Sequence, residues 1–156
     1  MKLTAFTDYS LRVLMYLAAE PGRRATIAEI AAAFEIKENH LTKVAHFLGK
    51  HGWLANVRGK GGGLELARAP RDIVIGTIVR ATEGEAMPAE CFGDEAERCC
   101  LHRICRLRSA FRRAVEAFYG VLDGCTLEDV TANRQSLARV LFVERAPSRA
   151  ATPSAR

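Results

Sequence analysis

The sequence predicts a mainly α chain with a small β-wing: a winged helix-turn-helix followed by a long C-terminal dimerisation helix. Three observations carry that expectation. Two short helical stretches, Ile27 to Phe34 and about Glu38 to Lys50, are joined only by Glu35-Ile36-Lys37, the spacing of a helix-turn-helix. Two strand-like runs, Gly52 to Val57 and Leu64 to Ala67, flank the tip Arg58-Gly59-Lys60-Gly61-Gly62-Gly63. Further on, Leu107, Phe111, Ala114, Val115, Phe118 and Leu122 step by three or four, drawing one apolar stripe along a long helix.

Each element has a local cause. Leu3 to Glu20 reads as a helix because Phe6, Val13, Leu14, Leu17 and Ala18 recur near helical spacing, and Pro21-Gly22 ends it. On that helix Asp8 and Arg12 stand four apart, which on the residues alone reads as a surface ion pair. Thr26-Ile27-Ala28-Glu29 is a capping box that opens the second helix. The third helix keeps Leu41, Val44, Ala45 and Leu48 on its buried side. The wing's glycines allow close backbone approach. The wing matches neither G-x-x-x-x-G-K-[ST] nor a G-x-G-x-x-G that opens a helix, which excludes phosphate-loop catalysis. Ile73 to Thr82 reads as a short strand, turn and helix. Asp123-Gly124 ends the long helix, and Thr126 caps a further short one. From Arg145 on there is no apolar pattern, so residues 145–156 are expected to form a disordered tail.

With 156 residues, 49% hydrophobic and 26% charged, the chain has the composition of an ordinary globular domain. It lacks a run of about 18 apolar residues that would span a membrane. Met1 to Asp8 has no apolar segment of the secretion-signal kind, so a reducing, cytoplasmic location is expected. The net charge of +5 is distributed in blocks. Lys37 to Arg71 holds seven Lys or Arg against two acids, Glu83 to Glu97 six acids and no base, and Arg98 to Arg113 six Arg and no acid. The first block reads as a nucleic-acid face. Its candidate contacts are Thr26, Lys37, Asn39, His40 and Lys43 on the helix-turn-helix, with Arg58 and Lys60 reaching phosphates or the minor groove from the wing. No acid/base constellation marks a catalytic site, and an enzyme is not expected.

Four of the five cysteines (Cys91, Cys99, Cys100 and Cys105) fall within Glu90 to Cys105. Cysteines used for packing are scattered over buried faces; a cluster in a polar loop points to metal binding or redox work in a reducing compartment. Zinc could take Cys91, Cys99, His102 and Cys105. An iron–sulfur cluster could take the thiolates, with the arginine block offsetting its negative charge. Cys99 and Cys100 are adjacent, so one of them ligates at most, and Cys125 stands apart as a packed thiol.

Several motifs together carry a resemblance: Leu3-Thr4-x-Phe6-Thr7-Asp8-Tyr9-x-Leu11-Arg12, Asn39-His40-Leu41-x-Lys43, Val57 to Gly63, and Glu90-Cys91-Phe92 with Cys99 and Cys105-Arg106-Leu107. The chain resembles the nitric-oxide-sensing repressors of the Rrf2 superfamily of iron–sulfur winged-helix regulators, over residues 1 to 144. The resemblance implies a homodimer on a double-stranded DNA operator, with one 4Fe-4S cluster per subunit (2Fe-2S after oxygen exposure) and nitric oxide as the signal. It assigns Cys91, Cys99 and Cys105 as ligands, completed by the partner subunit's Asp8. The iron-responsive branch shares the cysteine spacing, but Asp8 fits the nitric-oxide branch better. A branch with a histidine shortly after the last cysteine is not matched, since Arg108 and Ser109 lie there. The expected organisation is a DNA-binding domain over 1–82, a cluster loop over 83–106, the dimerisation and C-terminal helices over 107–144, and the tail.

Overall fold

The computed structural model describes residues 2–84, Ala89, Phe92 and 99–142. Cys91 and the tail of 145–156 lie outside the described residues. At its centre is helix α1 (Ala5–Ala19), which buries Val13, Leu14, Leu17 and Ala18 in the main core. Thr4 caps it by accepting a 3.3 Å hydrogen bond from the Thr7 amide, and Gly22, with φ of 86°, turns the chain after it.

Helix α2 (Ile27–Phe34) opens on the expected capping box. The Glu29 amide donates to the Thr26 hydroxyl at 3.1 Å, and the Thr26 amide donates to the Glu29 carboxylate at 2.6 Å. That backbone bond leads the contacts that hold the Glu29 carboxyl below its usual pKa. Helix α3 (Glu38–Lys50) buries Leu41, Val44, Ala45 and Leu48, the face the sequence marks.

The wing is an antiparallel pair, β1 (Leu54–Val57) and β2 (Gly63–Leu66), with Leu54 opposite Leu66 and Val57 opposite Gly63. It is fastened to the helices at its other edge. Ala25 and Leu64 exchange backbone hydrogen bonds of 3.1 and 2.8 Å, and Gly63 lies so near that a Cβ there would stand 2.9 Å from the Ala25 carbonyl oxygen. Arg24 adds a 2.8 Å ion pair to Glu65 and reaches the Gly61 carbonyl. The wing is therefore tied to the start of α2.

A 3-10 turn (Pro70–Asp72) leads to α4 (Ile75–Glu83), and Val74 pairs with Thr126 in a short bridge. Helix α5 (Arg106–Asp123) is the long helix of the sequence analysis. The C-terminal part holds two helices rather than one, α6 (Leu127–Val130) and α7 (Arg134–Leu141). Thr131 separates them: it is fully buried, and its hydroxyl donates back to the Leu127 carbonyl at 2.6 Å. The stripe on α5 is covered at one end only. Phe118 and Leu122 pack on the core, and Arg80 clamps Asp123 while lying 4.3 Å over the Tyr119 ring. Leu107, at the other end, is 60% exposed.

The junction of α1 and α4 is held by one carboxylate. Glu83 accepts from the Thr4 amide at 2.8 Å, the Thr4 hydroxyl at 2.9 Å and the Thr7 hydroxyl, and Thr7 is itself fully buried beside Thr82. Burial opposes ionisation of Glu83, but the hydrogen bonds from Thr7 and Thr4 together outweigh it and hold the pKa below the ordinary 4.5. Glu83→Gln is expected to cost about 1–2 kcal/mol at neutral pH. A carboxyl with a depressed folded pKa contributes stability above its unfolded value and loses it as pH falls through the folded one. Thermal melts of wild type and variant should therefore converge as the pH drops below 4.5; a gap that stays constant across that range would contradict the assignment.

Candidate nucleic-acid interface and cysteine turn

Opposite the buried side of α3, helical spacing lines up Asn39, Lys43, His46 and Lys50 at i, i+4, i+7 and i+11. All four are exposed. The column lies beside the wing, whose tip exposes Arg58 and Lys60 around a tight turn closed by a 2.9 Å bond from the Gly62 amide to the Gly59 carbonyl. Gly59 and Gly61 have φ of 99° and 77°, which L side chains rarely adopt.

The other candidates are placed differently. Thr26 is exposed, but its hydroxyl is spent on capping α2 and on a 2.9 Å bond to Glu29. Lys37 is exposed at the N-cap position of α3. His40 leaves the column toward α1, where its ring stacks on Tyr9 at 6.2 Å between centroids. Phe6 and Phe47 meet edge-on at 5.2 Å in the same seam, so α1 and α3 share a packed boundary at the N-terminal end of α1. His46 and Lys50 are not among the contacts expected from the sequence, although helical spacing alone puts them in this column.

At that same end of α1, Asp8 is half-buried and pairs with Arg12 at 2.9 Å. Cys99, Cys100 and Cys105 are free thiols. Cys99 opens a turn closed by a 2.9 Å bond from the His102 amide to its carbonyl, and Cys105 stands at the N-cap of α5. The first turn of α5 carries Arg106 and Arg108 and no acid, so helix dipole and guanidinium charge together make a positive setting. Arg108 reaches the Nε2 of His102 at 2.5 Å and lies 5.5 Å from the Phe92 ring centre. Among the described residues, no three His, Cys, Asp or Glu side chains are gathered to hold a metal within one chain. The donor set nevertheless fits an anionic iron–sulfur cluster chemically: accessible thiols without disulfides, on a turn backed by arginines.

Residues 3–133 match Rrf2, described as an iron-dependent transcriptional regulator. The chain belongs to the Rrf2 family. Its curated relatives include the HTH-type transcriptional regulator NsrR of Geobacillus kaustophilus, 47% identical over 93% of this chain and 99% of that one. NsrR of Bacillus subtilis is 43% identical over 90% and 97%. Among solved structures, T. potens IscR superposes with a TM-score of 0.70 at 25% identity, covering 95% of this chain and 94% of that one. CymR, the global cysteine regulator of B. subtilis, gives 0.64 at 30%, over 85% and 98%. This Rrf2 chain is thus a DNA-binding transcriptional regulator with a winged-helix fold, not an enzyme.

Arg58 sits on the wing and is exposed, as a phosphate or minor-groove contact would have to be. Arg58→Ala is expected to weaken operator binding and to make the log–log dependence of affinity on salt shallower by about one unit. Fluorescence anisotropy across a salt series reads both; an unchanged slope would count against wing contact.

Proposed function

We propose that this Rrf2 regulator is a homodimeric, cytoplasmic repressor that carries a 4Fe-4S cluster in each subunit and releases its operator in response to nitric oxide. The observation that carries the reading is the cysteine turn, with Cys99 and Cys105 presented beside an arginine-rich helix start in a chain whose curated relatives are NsrR proteins. Cys91, Cys99 and Cys105 would hold the cluster, with the partner subunit's Asp8 as the fourth ligand. Bound there, the cluster supplies iron that nitric oxide can reach. No helix among the described residues is long and apolar enough to cross a membrane, and thiolates persist in the reducing cytoplasm.

The division of labour follows the sequence. Residues 1–82 bind DNA, 83–106 carry the cysteines, and 107–144 supply the dimer contact through the exposed end of the α5 stripe. Asp8 lies on the helix whose Phe6 and Tyr9 pack against α3. Holding Asp8 across the dimer therefore fixes where each α3 sits and keeps the two near one DNA turn apart, roughly 34 Å. Releasing Asp8 lets α1 and α3 shift together and lowers affinity. A useful switch needs a coupling of about 1–3 kcal/mol between the two sites. Asn39, His40 and Lys43 read or flank bases, Lys37 lies beside them at the start of α3, Arg58 and Lys60 contact the backbone or minor groove, and Thr26 steadies α2 beneath them.

The iron-dependent description of the family favours a second reading, in which iron supply rather than nitric oxide is the signal. Zinc on Cys91, Cys99, His102 and Cys105 is less well supported, because Arg108 engages the Nε2 of His102. Replacing Cys91, Cys99 or Cys105 singly with Ala should abolish the visible absorbance of anaerobically purified protein and its acid-labile sulfide, while Cys125→Ala leaves both intact. Zinc without sulfide in the wild type, or a full cluster in any of the three variants, would refute the ligand set.

A further inference from the structure

The side chain of Arg108 is tied to the neighbourhood of each of the three cysteines in the proposed ligand set. Its guanidinium lies 5.5 Å from the centre of the Phe92 ring, and Phe92 is the residue after Cys91. Its Nη1 donates to the Nε2 of His102 at 2.5 Å, and the His102 amide closes the turn on the Cys99 carbonyl. Cys105 is the N-cap of the helix that carries Arg108, three residues before it. The two therefore share a face, and a helical side chain leans back over the turn before its own Cα. Among the described residues, the one buried side-chain nitrogen or oxygen without a hydrogen-bond partner is the Nε of this arginine. We infer that Arg108 is a positioning residue for the iron–sulfur cluster: it clamps the cysteine turn to the start of α5 through His102, and its Nε–H donates to a sulfur at the cluster, an inference that rests on the iron–sulfur reading and deepens it.

A guanidinium only donates. His102 therefore accepts at Nε2 and keeps its ring proton on Nδ1, so it serves the turn as a strut and not as a metal ligand. The Nε–H is the donor that this contact leaves over. A buried donor without an acceptor is costly, and native structures keep few of them. Thiolate and sulfide are anionic acceptors, and hydrogen bonds and positive charge beside them favour the reduced, more negative state of a cluster. Arg103, Arg106, Arg112 and Arg113 carry the same charge but are exposed; Arg108 is half-buried and held on two sides. Its place also separates this task from folding. No residue of α5 is fully buried, and Leu107 beside Arg108 is 60% exposed.

The test compares Arg108→Gln and Arg108→Lys with wild type and with Arg112→Gln, as full-length protein purified anaerobically. Two quantities are read: the rate at which a ferrous chelator bleaches the visible absorbance, and the midpoint potential of the chromophore in a redox titration. Arg108→Gln should lose its cluster about 10–100-fold faster and titrate at a more negative potential, since donor and charge are both gone. Arg108→Lys keeps the charge but not the planar fork, and should lose its cluster as fast as Arg108→Gln. Arg112→Gln removes the same charge one turn further along α5 and should match wild type in both. Metal-free forms of all of them should melt together. Wild-type rates in Arg108→Lys, or an equal effect from Arg112→Gln, would reduce the role to charge and overturn the Nε contact. Lower melting of metal-free Arg108→Lys would make the residue a structural one and overturn it as well. A wild-type protein without iron and acid-labile sulfide would instead overturn the cluster reading, and the assignment of Arg108 with it.

Discussion

Everything in this molecule is arranged around the burial of α1. Val13, Leu14 and Ala18 retain at most 1% of their surface, and removing side chains of this size from water is worth roughly 1.5–3 kcal/mol each for the larger ones. The same helix meets α3, α4, α7 and the wing strand β2. Helix α2 joins it through Phe34, whose ring meets Tyr16 of α1 at 6.1 Å between centroids. Interiors packed in this way do not deform gradually. A displacement imposed at one end of α1 has to appear at its neighbours.

The N-terminal end of α1 is where such a displacement matters. Within two turns it carries the Thr4 and Thr7 contacts to Glu83, the Asp8 carboxylate, and the Phe6 and Tyr9 rings against α3. Glu83 is the last residue of α4, and the cysteine segment follows directly. The cysteine-bearing stretch and the DNA-binding half thus adjoin in the chain at Glu83. The charge blocks fit this arrangement: basic residues line the outer side of α3 and the wing, and arginines crowd the start of α5 behind Cys105. The intervening acids from 83 to 97 begin with Glu83 itself, whose carboxylate is consumed by hydroxyls and an amide.

Most of the fold was legible in the sequence because its signals are local. Thr26 and Glu29 spell a capping box, Leu41, Val44, Ala45 and Leu48 mark one helical face, and the glycines of the tip fall where positive φ is needed. The extra helix boundary at Thr131 was not legible, since it depends on burial of a hydroxyl in a core built from distant segments. Glu83 was read as one acid in a charged run; only folding brings it to Thr4 and Thr7, 79 and 76 residues away. For the site, spacing identified the cysteine cluster and the basic wing. Spacing also places His46 rather than His40 in the exposed column of α3, but it could not show the stacking of His40 on Tyr9, which belongs to another helix. Nor could it show that the α5 stripe is half covered by its own core, as Phe118 and Leu107 look alike in one dimension.

The account's central claim is that the state of the cysteine turn sets the position of α3 through α1. The most direct test is an anaerobic titration of the dimer with nitric oxide, following visible absorbance and operator occupancy in the same sample. The account predicts that both change over the same range of added nitric oxide, and that Asp8→Ala loosens operator binding before any is added. Bleaching of the chromophore to completion while the operator remains fully bound would contradict it.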